Sequence, residues 1–167
     1  MNKFPNNSFL YFFLFLPYFL VSIFFFFLVS YEGNDKQQIN KLSQSIGLNE
    51  LQLYIFITLF ILIYSIVIFA FILFLIKIAY FFFSKKTHKN NNDLLFSVLL
   101  GLTISKFLGI LLNTELDFTT STVSITLSVV NIILIPTFYY YFSKKINLSI
   151  IAAFIMIIIA IPTIIFT

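Results

Sequence analysis

Hydrophobic residues occupy five long runs of this chain, and short polar segments separate them. The runs cover residues 9–29, 54–76, 94–113, 121–142 and 146–166. Each has about 20 residues, the length that an α-helix needs to cross the ~30 Å hydrocarbon core of a bilayer. Backbone in lipid must satisfy its hydrogen bonds within helices or a closed barrel, and no alternating barrel pattern is present. The pattern predicts an all-α polytopic integral membrane protein, one domain over residues 1–167, built as a bundle of five transmembrane helices.

Two of these runs depart from a simple vertical span. The second continues from residue 51 to residue 83, about 50 Å as a helix, so its bilayer portion is expected to end near Ile76. Lys77 would then snorkel to the interface, and Tyr80 would act as an aromatic anchor. Pro17 predicts a kink in the first run, and the lack of a small-x-small cleavage site there favours a retained span over a signal peptide.

The distribution of lysines over the polar segments predicts the orientation. With the N-terminus in the cytoplasm, six lysines outside the runs face inward and two, Lys36 and Lys41, face outward. The six inward lysines are Lys3, Lys85, Lys86, Lys89, Lys144 and Lys145. The positive-inside rule therefore favours an N-inside, C-outside topology, and these lysines can also attract anionic lipid headgroups.

The longest polar segment, residues 30–49, carries a short helical pattern. Ile39, Leu42 and Ile46 recur at helical spacing, and Gly47 is suited to ending a helix. Two interpretations of this first outer loop stay open: a short amphipathic helix lying on the membrane surface, or a plain polar loop.

Composition agrees with a membrane protein and narrows the chemistry. Of 167 residues, 60% are hydrophobic and 10% charged, and the mean hydropathy is +1.05; soluble domains carry about 25% charged residues. The net charge of +4 comes from lysines between apolar runs, so no nucleic-acid partner is expected, and the absence of Cys excludes a disulfide scaffold. Phe, Ile, Lys, Asn and Tyr have A+T-rich codons, which favours the cytoplasmic membrane of a bacterium with an A+T-rich genome.

Catalytic motifs are missing from the sequence. There is no H-E-x-x-H, no G-x-S-x-G, no P-loop and no carboxylate pair inside a predicted span. His88 lies in a segment rich in Lys and Asn, where we expect it to be solvated. The sequence predicts a protein that is not an enzyme and has no cofactor and no metal site.

Lys106 lies inside the third predicted span, about 10 Å from its outer end. A lysine at the bilayer centre costs about 2.5–3.5 kcal/mol on insertion scales, so Lys106 is expected to face the bundle. Its candidate partners are Glu115, Asp117 or polar groups of the next helix. Two interpretations of Lys106 stay open. It is part of a solute, proton or anion site, or it has a structural role, in which it snorkels to the membrane surface or forms an ion pair that holds the helical hairpin together.

A stripe of small residues follows the same predicted helix at i+4 spacing. Its members are Ser97, Gly101, Ser105 and Gly109. Small residues allow helix backbones to approach closely, which is how helices associate in lipid. The stripe predicts a helix-packing surface, either within the chain or against a second copy or another protein.

The fourth run carries polar residues on one helical face. They are Ser121, Ser124, Ser128 and Asn131. The short connection places this helix antiparallel to the third, with Ser128 level with Lys106 and Asn131 near the midplane. Pro136 frees the carbonyl of Ile132 from its helical bond. We therefore expect a candidate ligand site of Lys106, Ser128, Asn131 and Pro136, or else ordinary hydrogen bonding between helices.

The layout from residue 51 to residue 166 resembles the Yip family of Ypt-interacting membrane proteins. The likeness comprises the long second span, the basic segment "SKKTHKN", the third span "LLGLTISKFLGILLN" and the short "FSKK" turn before the last span. It is a likeness of hydropathy and loop spacing, and the family's long hydrophilic N-terminal segment is missing. The resemblance implies a membrane-organising adaptor that acts through protein contacts.

Three functional hypotheses follow, in this order. The first is a non-enzymatic adaptor or accessory subunit of a membrane complex, acting in the lipid bilayer through a membrane protein partner or a homo-oligomer. The second is an immunity-type protein against a bacteriocin or pore-forming toxin. The third is a small oligomeric transporter or channel that uses Lys106 and Asn131.

Overall fold

Helix accounts for almost all of the described chain. The computed structural model describes residues 8–30, 41, 43–45, 47, 49–83 and 91–166. Within these ranges 95% of the residues are helical and none lies in a strand. The prediction of an all-α protein is therefore confirmed.

Five long α-helices follow one another in the described part of the chain. They are α1 (Ser8–Phe25), which continues into a π-helical turn (Phe26–Ser30), α2 (Glu50–Phe83), α3 (Asn91–Leu116), α4 (Thr120–Ser143) and α5 (Ile146–Phe166). Within the described ranges, α2 to α5 are the four helices long and apolar enough to cross a membrane, whereas the apolar part of α1 and its π-turn, Phe15–Val29, is shorter.

Local hydrogen bonds explain where two of the helices begin and where one ends. Asn49 and Gln52 exchange side chain–backbone bonds of 2.9 and 3.0 Å, a capping box that fixes the first turn of α2. Thr119 caps α4 by accepting from the backbone N–H of Thr122. Lys144 ends α4 in the left-handed conformation, with φ 56°, and its N–H donates to the carbonyl of Tyr140.

The five helices pack as a closed ring. α3 packs most extensively against α4, and α4 against α5. α2 contacts both α5 and α1, and α1 in turn packs on α3, so the order around the ring is α1, α3, α4, α5, α2. Every helix contacts its neighbours in the chain, and α2, which also contacts α3, closes the ring between the first and the last helix.

The main apolar core lies toward the end of the bundle that holds the Lys144–Lys145 turn. Ile76, Val98 and Ile135 are completely buried there. Tyr80 corrects our expectation of an interfacial anchor, because its side chain is buried and its hydroxyl donates to the carbonyl of Leu148 on α5 at 3.0 Å. A phenol inside an apolar core needs such a partner, and a backbone carbonyl of the neighbouring helix supplies it.

Several sequence predictions concern residues outside the described ranges. These are the pattern of Ile39, Leu42 and Ile46, and the loop residues Lys85, Lys86, His88 and Lys89. Near the first of them, Lys41 is helical and exposed, and residues 43–45 are helical as well.

Candidate ligand-binding cavity

All five helices contribute to a cavity of about 280 Å³ in the half of the bundle nearer the α3–α4 loop. Its apolar lining consists of Phe25, Ile68, Ile72, Leu102, Leu127, Met156, Ile159 and Ala160. Its polar lining consists of Tyr64, Ser65, Ser105, Lys106, Ser128, Asn131 and Thr163. A mostly apolar wall with a few convergent polar groups is the usual construction of a small-molecule site.

The ammonium group of Lys106, a residue that lines the cavity, is held by α1. Its Nζ donates to Ser22 Oγ at 2.7 Å and lies 4.5 Å from the ring centroid of Tyr18. Ser22 in turn donates to the carbonyl of Tyr18 at 2.6 Å, and the Tyr18 hydroxyl donates to the carbonyl of Ser65 on α2 at 3.0 Å. A hydrogen bond and a cation–π contact thus fix the position of the charge.

Neither Ser22 nor Tyr18 was identified from the sequence as a partner of Lys106. The candidate partners in the sequence were Glu115, Asp117 or polar groups of the next helix, whereas the hydrogen bond runs to a residue 84 positions earlier in the chain. Glu115 and Asp117 are exposed. The helical spacing of Tyr18 and Ser22, four residues apart, was the available signal, because both polar groups interrupt an apolar run on one face.

Ser128 and Asn131 reach the same cavity from α4, as their depth along the helix predicts. The Ser128 hydroxyl donates to the carbonyl of Ser124 at 3.0 Å, which leaves its oxygen able to accept. The Asn131 Oδ1 atom is buried and has no hydrogen-bond partner in the described part of the chain. A buried acceptor without a partner costs free energy unless a ligand or a water donates to it.

Pro136 is buried but is not among the residues that line the cavity. Its carbonyl accepts a 2.6 Å hydrogen bond from the hydroxyl of Ser149 on α5. Pro136 therefore lies at the α4–α5 contact, and the structure brings together three of the four residues in the predicted ligand cluster.

The small-residue stripe faces other helices of the same chain. Ser97, Gly101, Ser105 and Gly109 are all buried. A Cβ at Gly101 would collide with the Ile135 side chain on α4, and one at Gly109 would lie 2.7 Å from the Phe25 ring on α1. The two serine hydroxyls donate to carbonyls of their own helix, so these side chains also act as small packing groups.

The charged residues of the α4–α5 turn lie at the opposite end of the bundle from the α3–α4 loop near the cavity. Lys144 and Lys145 are exposed, and the Lys144 ammonium lies 4.6 Å from the ring centroid of Tyr141. Lys77 is exposed on α2 and borders a separate apolar groove between α1 and α2, lined by Phe15, Phe19 and neighbouring residues.

The polar groups that line the cavity are an ammonium, a primary amide and hydroxyls. None of the fifteen lining residues is Asp, Glu, His or Cys. Among the described residues no group of three such side chains could hold a metal ion. One ammonium, one primary amide and several hydroxyls can orient a polar solute against a largely apolar wall.

Comparison with known proteins supplies no further assignment. No family model, no curated protein and no solved structure matches this chain.

Proposed function

We propose that the protein is a multi-pass membrane protein that binds a small polar solute around Lys106 and, as an oligomer, carries it across the bilayer. The observation that supports this proposal is the convergence of Lys106, Ser128 and Asn131 in one cavity lined by all five helices. A charged side chain held inside a bundle of apolar helices is costly and marks functional pathways in membrane proteins.

The proposal includes five spans and an N-inside, C-outside orientation in a bacterial cytoplasmic membrane. α1 supports a fifth span, because its apolar residues continue through the π-turn and Tyr18 and Ser22 bind partners in the bundle. In this orientation the cavity lies in the outer half of the membrane, toward the α3–α4 loop.

The topology is tested with reporters fused after residue 167. We expect a periplasm-active reporter such as alkaline phosphatase to be active and a cytoplasm-active reporter to be silent, because the lysines of the α4–α5 turn retain that turn on the cytoplasmic side. Fusion within the α4–α5 turn, which should give the reverse result, is the control. An active cytoplasmic reporter at the C-terminus would overturn the orientation.

Transport is tested with the purified protein in proteoliposomes loaded with a panel of small organic ions. We expect flux of at least one of them, and a large loss of flux in Lys106→Gln. Lys77→Gln is the matched control, because it removes an exposed lysine of the same bundle that does not line the cavity. Equal flux in protein-free vesicles and in all three proteins would reject transport.

A second candidate function, an adaptor or accessory subunit, is favoured by the surface of α2. Phe56, Phe60 and Phe71 are each more than half exposed on this 34-residue helix. Mild-detergent purification followed by mass spectrometry tests it: a stoichiometric membrane partner lost in a Phe56→Ala/Phe60→Ala variant and retained in Lys106→Gln would support the adaptor. The Yip-like role belongs to this candidate, and both it and the immunity-type role stay predictions.

A further inference from the structure

We propose that the cavity binds a small hydroxycarboxylate, with the carboxylate at Lys106 and the hydroxyl group at Asn131. This inference rests on the proposed solute-binding function and names the class of solute. Three properties of the cavity and its lining residues support it: the unneutralised positive charge of Lys106, the unpaired acceptor of Asn131 and a small, largely apolar volume.

The charge of Lys106 calls for an anion. An ammonium group has three N–H donors, and the described contacts of Lys106 Nζ are one hydrogen bond to Ser22 and the face of the Tyr18 ring. No acidic residue lines the cavity to balance the charge. In surroundings of low dielectric constant, an anionic ligand can supply both the missing countercharge and acceptors for the remaining donors.

The unpaired Oδ1 atom of Asn131 would be satisfied by a hydrogen-bond donor on the same ligand. Its Oδ1 atom is buried and unpaired in the described structure, and a simple carboxylate ion has only acceptors to offer. A hydroxyl group donates to Oδ1. Ser128, one turn earlier on α4, presents an oxygen whose own proton is directed to the Ser124 carbonyl, so it is a further acceptor beside the amide.

The walls and the volume limit the size of the ligand. The cavity of about 280 Å³ lies near the lower end of the volumes found for small-molecule sites. Ile72, Leu127 and Met156 line it and suit a short apolar body. One lysine balances one negative charge, which favours a monocarboxylate over a phosphate or a dicarboxylate.

Direct binding tests this assignment on the full chain in detergent or nanodiscs, with lactate as the probe. Propanoate, which lacks the hydroxyl group, and lactamide, which lacks the charge, are the matched ligands. We expect lactate to bind about fivefold more tightly than propanoate, the effect of roughly one hydrogen bond, and lactamide not to compete. Equal binding of lactate and propanoate, or no binding of lactate, would overturn the proposal.

Two variants separate the roles of the two polar residues. Lys106→Gln should weaken lactate binding at least about tenfold, while Lys77→Gln binds as the wild type does. Asn131→Leu should bind propanoate but no longer prefer lactate over it. Size-exclusion profiles check the fold of each variant. If Asn131→Leu does not fold, Ser128→Ala replaces it, and its preference for lactate over propanoate is measured in the same way. Undiminished lactate binding by folded Lys106→Gln would contradict the assignment.

Failure of this inference differs from failure of the proposed function. Flux of other ions that depends on Lys106, without lactate binding, would keep transport and reject the hydroxycarboxylate. Lactate binding that depends on Lys106 and Asn131, without flux of any solute, would keep the ligand class and reject transport.

Discussion

The two ends of the bundle differ in how completely their polar groups are paired. Near the α4–α5 turn, the hydroxyls of Tyr80 and Ser149 cross from one helix to another and end on backbone carbonyls. Near the α3–α4 loop, Lys106 has one hydrogen bond and Asn131 Oδ1 has none in the described chain. Satisfied bonds inside an apolar core stabilise one arrangement of helices, whereas a buried unsatisfied group costs free energy until a ligand or a water pairs with it. We infer that the end near the α4–α5 turn holds the helices together and that the end near the α3–α4 loop binds a ligand.

The largest expected effect comes from overfilling the contact that holds α3 against α4. Gly101→Leu inserts a side chain where even a Cβ would collide with Ile135, which is fully buried. We expect a destabilisation of about 3 kcal/mol or more, or loss of the folded protein, measured by thermal unfolding in detergent.

Two matched variants sharpen this prediction. Phe107→Leu, at an exposed position of the same helix, should unfold as the wild type does. Gly109→Leu should also destabilise, but less, since its nearest neighbours are the ends of the Phe25 and Leu127 side chains. Wild-type stability in Gly101→Leu would show that α3 and α4 are not packed through this stripe.

A smaller loss of stability is expected when a single hydrogen bond is removed near the α4–α5 turn. Tyr80→Phe keeps the ring beside Tyr139, at 5.7 Å between centroids, but deletes the donor to Leu148. We expect a loss of about 1 kcal/mol in the free energy of unfolding. Tyr141→Phe, which changes an exposed ring and keeps its face for Lys144, is the control. An equal effect in both variants would mean that the Tyr80 bond is not what stabilises this end.

The smallest expected change in stability is a gain rather than a loss. Asn131→Leu removes a buried unpaired acceptor and adds apolar volume to the cavity, so we expect stability to rise by up to about 1 kcal/mol. The same thermal unfolding assay measures it, with Ser124→Ala as the neighbouring control on α4. A clear loss of stability in Asn131→Leu would indicate that Asn131 has a structural partner, and the contrast between the two ends would then disappear.

Much of the architecture follows from apolar run length alone. The run over 146–166 coincides with α5, and that over 121–142 differs from α4 by one residue at each end. Counting rise per residue from a short connection was enough to place Lys106 level with Ser128, since antiparallel helices joined by three residues must lie side by side. Both inferences use only local geometry.

The partners on distant helices did not follow from the sequence. Lys106 and Ser22 are 84 residues apart, and a polar position on one apolar helix does not indicate which of the other helices it faces. Tyr80 was misplaced for the same reason: an aromatic residue near a helix end fits either a membrane interface or a helix contact, and only the position of α5 decides. The ring order therefore had to come from the structure.

That ring order has a consequence for biogenesis. α2 emerges from the ribosome second, yet one of its neighbours in the finished ring, α5, emerges last. At 5–20 residues per second, roughly 4 to 17 seconds separate the end of α2 from the end of α5. During that interval the face of α2 that will meet α5 is covered only by lipid or by the insertion machinery. A nascent chain stalled before α5 would lack the cavity wall formed by Met156, Ile159, Ala160 and Thr163, so the cavity would be open to the membrane on that side.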